Sequence, residues 1–431
     1  MTVVVAFAVV LLLSVLVSDL AHRTVLSTAV LFLGAGFLLG DGMIGFISVD
    51  SDDEVVSRFA ELALFSVLFT DGMRVGVRQL RAAWRLPGRA LLLGLPLTLL
   101  ITALLAHYVA GLGWVESFLI GAVLAPTDPV FAAAIVGRSD VPRRLRHLLN
   151  VESGVNDGLA LPIVVVLLAF TAGSDPHPVE LAEELVVGIV IGVAIPLAAI
   201  WLERLRFFSA SAAYEPLNGF AIGILVYAVA EVTHGNLFLA AFAAGVTVAT
   251  AGPSQRESFE HFGELVAEVL KLAALLVFGA LISPAFLREI PLSGYLFAVL
   301  ALLVARPAAL AVSFVGAKLS RREKIAAAWF GPKGFASVVY GLLVLDSGIA
   351  AADEIFHLVA LVILASIVAH ASTDVVVAKQ FDNVDTSAED AEFADDEEID
   401  SLLAAEQRSA ARVDAPRKPR SDEGELRGNA E

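Results

Sequence analysis

The stretch VLAPTDPVFAA, residues 123–133, decides how this chain is interpreted. It lies in an apolar segment, residues 114–136, that is long enough to cross a bilayer, since a spanning helix needs about 20 residues. Asp128 nevertheless stands between Pro126 and Pro129, a charge between two helix breakers at about mid-membrane depth. A segment that only faced lipid would carry apolar residues here, so this aspartate requires a functional explanation.

The composition is that of a polytopic membrane protein. Of the 431 residues, 58% are hydrophobic and only 17% are charged. The chain has no cysteine, which excludes disulfides, thiolate chemistry and cysteine-ligated metal sites. The first segment, TVVVAFAVVLLLSVLVS, has no basic residue before it and no convincing cleavage site, so we expect a retained transmembrane helix.

Much of the acidic charge is concentrated at the end of the chain. Residues 381–431 contain sixteen acidic and six basic residues, a net charge of −10 out of the total of −17. Because this segment has few large apolar residues, we expect a disordered cytoplasmic tail that either solubilises the protein or binds a partner. Residues 1–380 are then the transmembrane domain.

Hydropathy predicts an all-α protein with thirteen transmembrane helices. Seventeen basic residues fall on one side of the membrane and two, Arg58 and Arg288, on the other. Basic connections face the cytoplasm, so we expect the N-terminus outside and the C-terminus inside. The predicted spans are residues 2–18, 24–40, 55–72, 89–110, 114–136, 145–172, 179–202, 214–232, 236–252, 263–286, 290–317, 323–346 and 352–378.

Several charged residues lie well inside these spans, where each charge costs roughly 2.5–3.5 kcal/mol. Any one of them could be a structural residue paired across helices, so their clustering is what points to function. They are Glu61, Asp128, Glu152, Asp157, Glu231, Glu268, Lys271, Arg306 and Lys333.

The sixth span contains such a cluster, NVESGVNDGLALP at residues 150–162. Side chains four positions apart stack on a helix, which places Glu152 near Asn156 and Ser153 near Asp157. The four polar side chains therefore share one face.

This oxygen-rich face suits a hard monovalent cation such as Na⁺, whose lost water is replaced by carboxylate, hydroxyl and carbonyl oxygens. Gly154 and Gly158 should allow another helix to approach closely. The alternative is a polar seam that only holds helices together.

Breaks in two spans supply the rest of the predicted site. The prolines around Asp128 free backbone carbonyls near Thr127, and irregular backbone is tolerated in a membrane only where protein or a wet cavity surrounds it. The twelfth span has a matching break at Gly331-Pro332-Lys333-Gly334. Two broken helices seven spans apart predict an inverted-repeat transporter with its site near the midplane. Lys333 would partly offset the acidic residues there.

These motifs together resemble one known family. TDPV in the fifth span, ESGVNDG in the sixth, LLVARPAAL in the eleventh and GPKGF in the twelfth are similar to the monovalent cation:proton antiporters. That family includes NhaP-type antiporters and the eukaryotic sodium/proton exchangers. The resemblance covers residues 1–380 in order and leaves the acidic tail outside.

The resemblance implies roles for individual residues. Asp157 would be the carboxylate that binds both ion and proton. Asp128, Ser153 and the Thr127 carbonyl would be neighbouring ligands, and Asn156 would hold the crossing segments together.

The resemblance also implies a buried ion pair between Glu152 and Arg306 that positions the core helices. Lys333 stands where the family usually has arginine, so the charge remains without the bidentate fork. Family members are dimers with a dimer domain and a mobile core domain. One titrating aspartate beside Asn156, where electrogenic relatives have a second aspartate, implies one proton for one cation.

We therefore expect an electroneutral Na⁺(Li⁺)/H⁺ antiporter working by alternating access in a prokaryotic cell membrane. Its partners would be a monovalent cation, a proton, lipid and a second copy of the chain, without nucleic acid, cofactor or enzymatic activity. A K⁺/H⁺ antiporter on the same scaffold is the main alternative. A cation channel and a transporter-derived sensor are the others.

Overall fold

The regular structure of the chain is helical. A computed structural model describes residues 2–16, 28–47, 54–74, 85–128, 141–171, 178–203, 205, 214–317 and 319–381. Within these residues every named element is a helix, and the only bridge between extended residues joins Gly40 to Ile47. The all-α fold class is therefore confirmed. The acidic tail and Pro129 lie outside the described residues.

Fifteen helices are used below, and two of them contain three π-helical turns between them. Those turns are Ala90–Gly94 and Ala106–Ala110 in α4 and Ala301–Ala305 in α12. The helices are α1 (Thr2–Leu16), α2 (Thr28–Leu39), α3 (Glu54–Arg74), α4 (Leu86–Ala110), α5 (Trp114–Leu124), α6 (Arg143–Thr171), α7 (Pro178–Glu203), α8 (Glu215–Val232), α9 (Leu237–Ala251), α10 (Pro253–Leu281), α11 (Pro284–Glu289), α12 (Leu292–Ser313), α13 (Arg321–Trp329), α14 (Phe335–Asp346) and α15 (Ala352–Ala378).

Most predicted spans agree with these helices to within a few residues. The tenth span is one exception, because α10 begins ten residues before the predicted start at residue 263. Hydropathy marks only the apolar part of a helix, whereas Pro253 opens this one with a polar sequence, PSQRESFEH, that continues the same helix. The predicted twelfth span is two helices, α13 and α14, and α5 is the described part of the fifth span.

Five described helices are long and apolar enough to cross a membrane by length and composition: α4, α6, α7, α12 and α15. Six shorter apolar helices accompany them. The number of thirteen spans, the inverted repeats and the orientation of the termini stay predictions.

The helices of residues 2–381 pack in two groups. The first comprises α1, α2, α3, α7, α8, α9 and α10, and the second comprises α4, α5, α6, α12, α13, α14 and α15; the short helix α11 contacts α15. Helices α3 and α10 also contact α14, and α3 contacts α6. Charged side chains on α3 and α10 can therefore interact electrostatically with residues of the second group.

Close crossings between helices rely on glycine. A Cβ atom built on Gly245 of α9 would overlap the carbonyl oxygen of Phe69 in α3, and one built on Gly72 would overlap the carbonyl oxygen of Phe242. The two backbones are thus in direct contact, a packing that only the smallest side chain permits.

Gly245→Ala is expected to destabilise the protein, because an added methyl group must push α9 away from α3. Overpacking of this kind typically costs about 1–3 kcal/mol. The measurement is the thermal unfolding midpoint in detergent. Gly34→Ala is the matched control, since a Cβ there meets no atom of the described residues within 4 Å. Equal midpoints for the two variants would contradict the close crossing.

Candidate functional site

The two broken segments meet through their backbones. Helix α5 ends at Leu124, and α13 ends at Trp329, where residues 330–334 connect it to α14. The amide of Asp128 donates a hydrogen bond to the carbonyl of Pro332 at 2.9 Å. Each break therefore satisfies part of the other, as backbone at membrane depth requires.

Both glycines of the GPKG motif are explained by this crossing. A Cβ on Gly334 would overlap the side chain of Asp128, and one on Gly331 would overlap the guanidinium of Arg306. The amide of Phe335, the first residue of α14, donates to Asp128 Oδ2 at 3.1 Å. Asp128 thus accepts from the amino end of a helix, where backbone donors lack helical partners and negative charge is stabilised.

The break of the fifth span is tied to α6 by three polar residues. Asn156 Nδ2 donates to Thr127 Oγ1 at 2.8 Å and to the Thr127 carbonyl at 3.3 Å. Thr127 Oγ1 also lies 3.3 Å from Ser153 Oγ. All three residues are buried. The structure therefore brings together these three residues of the predicted site.

Asp157 lies one residue further along α6 and is only 8% exposed. Its carbonyl accepts from the Tyr340 hydroxyl at 2.9 Å. Its side-chain Oδ1 is buried without a hydrogen-bond donor among the described residues, and so is Oδ1 of Asn156. Buried polar atoms are nearly always paired, and exceptions call for an explanation such as an ion. These two oxygen atoms are the strongest indication of a ligand.

Two charged residues join the site that sequence reasoning did not assign to it. Lys271 of α10 has its Nζ 4.0 Å from Asp128 Oδ2 and 3.8 Å from Glu268 Oε2. Asp71 of α3 is buried. Together with Asp128, Asp71 and Lys271 lie close enough to act electrostatically on Asp157.

The sequence carried only a partial signal for these residues. Lys271 was recognisable as a charge inside a span, but its partner on another helix was not. Asp71 falls at the end of the predicted third span, where a charge is unexceptional, whereas α3 continues to Arg74. Their proximity is a result of packing between the two helix groups.

Glu152 and Arg306 form a buried bidentate pair. Arg306 donates from its two terminal nitrogens to the two carboxylate oxygens at 2.5 and 3.0 Å. It also donates to the carbonyls of Ala327 and Phe330, at 3.3 and 3.1 Å. The pair thus connects α6 and α12 to the end of α13, and a π-helical turn in residues 301–305 directly precedes the arginine.

The remaining predicted positions are Lys333 and the two glycines of α6. Lys333 is buried, and its Nζ lies 3.5 Å from the carbonyl of Pro126, so its charge faces the other break. The ring of Phe242 in α9 packs against Gly158, as expected, but nothing approaches Gly154 within 4 Å. Among the described residues, then, only Gly158 is shown against a neighbouring helix, and a close helix at Gly154 stays a prediction.

Arg306→Ala is expected to destabilise the protein strongly. Removing one partner of a buried ion pair leaves an uncompensated charge, at a cost of about 3–5 kcal/mol. The carbonyls of Ala327 and Phe330 lose a donor as well. The measurement is thermal unfolding in detergent.

The double variant Glu152→Leu/Arg306→Leu is the matched comparison. It removes both charges, so its loss of stability should be smaller than that of Arg306→Ala. A single variant as stable as the parent would show that the pair does not stabilise the core.

Comparison with known proteins finds one family model and several relatives that match the chain. The family model described as "Sodium/hydrogen exchanger, transmembrane" matches residues 8–379. A protein named K(+)/H(+) antiporter NhaP2 from Shewanella sp. (strain ANA-3) is 27% identical over 366 residues, which cover 82% of this chain and 62% of the relative. K(+)/H(+) antiporter NhaP from Alkalimonas amylolytica is 25% identical over 371 residues, covering 85% and 64%. The chain thus spans less than two thirds of the length of these relatives.

A solved structure shares the fold. The sodium proton antiporter MjNhaP1 from Methanocaldococcus jannaschii, determined at pH 8, superimposes with a TM-score of 0.73 at 21% identity, covering 86% of this chain and 99% of that one. The family match over most of the chain and the shared fold lead to one conclusion. This chain belongs to the sodium/hydrogen exchanger family of membrane transporters.

Proposed function

We propose that this protein exchanges Na⁺ or Li⁺ for a proton across a prokaryotic cell membrane, and that cation and proton compete for Asp157. The observation that carries the proposal is the buried Oδ1 of Asp157, to which no described residue donates a hydrogen bond. A carboxylate in such a place is stabilised when a cation or a proton neutralises it.

The other ligands follow from what surrounds Asp157. Ser153 Oγ and the Thr127 carbonyl supply neutral oxygens, and Asp128 supplies a second carboxylate within electrostatic reach. Hard cations prefer oxygen ligands of these types. Asn156 supports the site by fixing Thr127, since it donates to both oxygens of that residue.

Transport requires that the loaded site reach both sides of the membrane in turn. A neutralised Asp157 can cross with the second helix group, whereas the bare charge is held back by the cost of burial. Glu152–Arg306 would keep that group rigid, and Lys333 would offset negative charge at the breaks. We further propose that two copies associate through the first helix group and that the exchange needs no cofactor.

K⁺/H⁺ exchange is the second candidate, because the relatives from Shewanella and Alkalimonas carry that activity in their names. The solved structure from Methanocaldococcus is named a sodium proton antiporter. The discriminating experiment imposes a pH gradient on proteoliposomes and follows its dissipation on addition of Na⁺, Li⁺ or K⁺ in turn. Cation flux without a coupled pH change would instead support a channel.

Asp157→Asn is expected to abolish cation-dependent dissipation of the pH gradient while leaving the protein folded. Asparagine keeps the size of the side chain but removes the charge that the cation and the proton share. The measurement is exchange by the purified variant in proteoliposomes, together with its elution profile in detergent.

Glu231→Gln is the matched control for Asp157→Asn. It also removes a carboxylate from a predicted span. Glu231, however, is exposed on α8, where it forms an ion pair with Arg58 of α3. This variant should exchange normally. Retained exchange by a folded Asp157→Asn protein would remove Asp157 from its proposed role.

Exchange is expected to be electrically silent. If Asp157 alone alternates between cation and proton, each cycle moves one positive charge in each direction. The measurement is the exchange rate in proteoliposomes clamped at several potentials with K⁺ and valinomycin, once K⁺ has been excluded as a substrate. If K⁺ is transported, currents on a solid-supported membrane serve instead.

A second exchangeable proton would change this outcome. Asp128, Lys271 and Lys333 are the ionisable groups near the breaks that could carry it. Rates that follow the imposed potential, or a transient current on adding the cation, would contradict one-for-one exchange.

A further inference from the structure

The break of the twelfth span is also held by a histidine that the proposed exchange does not use. His370 of α15 is 4% exposed. Its Nε2 lies 2.9 Å from the carbonyl of Trp329, the last residue of α13. Its Nδ1 lies 3.2 Å from Ser366 Oγ, which accepts the amide of Lys333 at 2.8 Å. The ring thus connects to both ends of the break.

The partners of His370 and Ser366 indicate which of their atoms donate hydrogen bonds and which accept them. A carbonyl only accepts, so Nε2 of His370 must donate to Trp329. Nδ1 of a neutral ring then accepts from the Ser366 hydroxyl, whose oxygen in turn accepts from Lys333. Nδ1 also lies 2.7 Å from the Ser366 carbonyl, to which a protonated ring would donate instead.

The surroundings of the His370 ring are cationic and aromatic. The charged groups that act on His370 are Lys333 from the break and Arg306 from α12, and both are cations. The aromatic rings of Trp329 and Phe330 pack beside it. The two bonds that hold the break, from Nε2 to the Trp329 carbonyl and from the Lys333 amide to Ser366 Oγ, are available in either protonation state of the ring.

These contacts satisfy backbone groups that a broken helix leaves without helical partners, and the Trp329 carbonyl also accepts the amide of Gly331 at 2.9 Å. The Trp329 carbonyl lies at the end of α13, and the Lys333 amide lies between two helices, so neither has a regular helical partner. The same part of the chain also holds Asp128. The Phe335 amide donates to the Asp128 carboxylate, and the Pro332 carbonyl accepts from the Asp128 amide. A shift of this segment would therefore move Asp128.

We propose that His370 is a positioning residue of the cation site. Together with Ser366, it fixes residues 329–333 and thereby the backbone groups that orient Asp128. This inference rests on the proposed exchange, because the effect of His370 is measured as a change in the apparent affinity for the transported cation. It concerns a residue that touches neither the cation nor Asp157.

The test compares variants of His370 and Ser366 in proteoliposomes. His370→Ala and Ser366→Ala should each raise the apparent KM for the transported cation about three- to tenfold, the range expected for the loss of one hydrogen bond. The maximal rate should change less. His370→Gln should restore most of the affinity, since its amide nitrogen reaches about as far as Nε2 and can donate to Trp329.

Thr373→Ala is the matched control. Thr373 accepts the indole N–H of Trp329 at 2.9 Å, so its loss weakens the contact between α13 and α15 without touching the backbone of the break. Its apparent KM should equal that of the parent. The double variant Ser366→Ala/His370→Ala should resemble either single variant, because the two residues act through one chain of bonds.

Three outcomes would overturn the inference: an unchanged KM in folded His370→Ala and Ser366→Ala, an equal rise in Thr373→Ala, or no rescue by glutamine. If His370→Ala fails to fold, the KM values of Ser366→Ala and His370→Gln decide. Exchange by the parent protein is measured in the same vesicles. Its absence would contradict the proposed function, whereas parental exchange with unaffected variants contradicts only the role of His370.

Discussion

The hydrogen bond from the Asp128 amide to the Pro332 carbonyl is the contact on which the rest of the site depends. Two helices that break in a bilayer expose backbone groups that lipid cannot satisfy. This bond joins the two breaks, so that each supplies part of what the other lacks. Side chains of other helices donate hydrogen bonds to further carbonyls of the two breaks. Asn156 donates to Thr127, Arg306 to Phe330 and His370 to Trp329.

This constraint determines residue types that would otherwise look arbitrary. Gly334 and Gly331 lack side chains because Asp128 and the Arg306 guanidinium occupy that space. Lys333 lies between them, and its amide and ammonium contact different elements, Ser366 and the Pro126 carbonyl. The buried charge of Lys333 is tolerated because its ammonium group contacts the backbone carbonyl of Pro126.

Local patterns predicted those parts of the site that arise within single segments. The four-residue spacing placed Ser153 and Asp157 on one face, and the prolines and glycines located both breaks. Pairing between distant segments was accessible only through the resemblance, as for Glu152 and Arg306, or was not found at all. Lys271 and Asp71 reach the site through packing of α10 and α3 against the second helix group, and no local pattern encodes that approach. The sequence analysis missed the polar first turns of α10, because hydropathy detects only the apolar part of a helix.

The structure also gives a fuller answer to why Asp128 stands between prolines. Its Oδ2 accepts the first amide of α14 and faces the ammonium of Lys271, so its charge is already partly balanced by the protein. Asp157 has no such donor at Oδ1 within the described part of the chain. Two carboxylates in one buried region are therefore in different situations: one is held by the helix end and a lysine, and the other has an oxygen atom that no described donor satisfies. That difference supports the proposal that Asp157 is the group that exchanges, with Asp128 as a neighbouring ligand, because a carboxylate that the protein leaves unbalanced gains most from a cation or a proton.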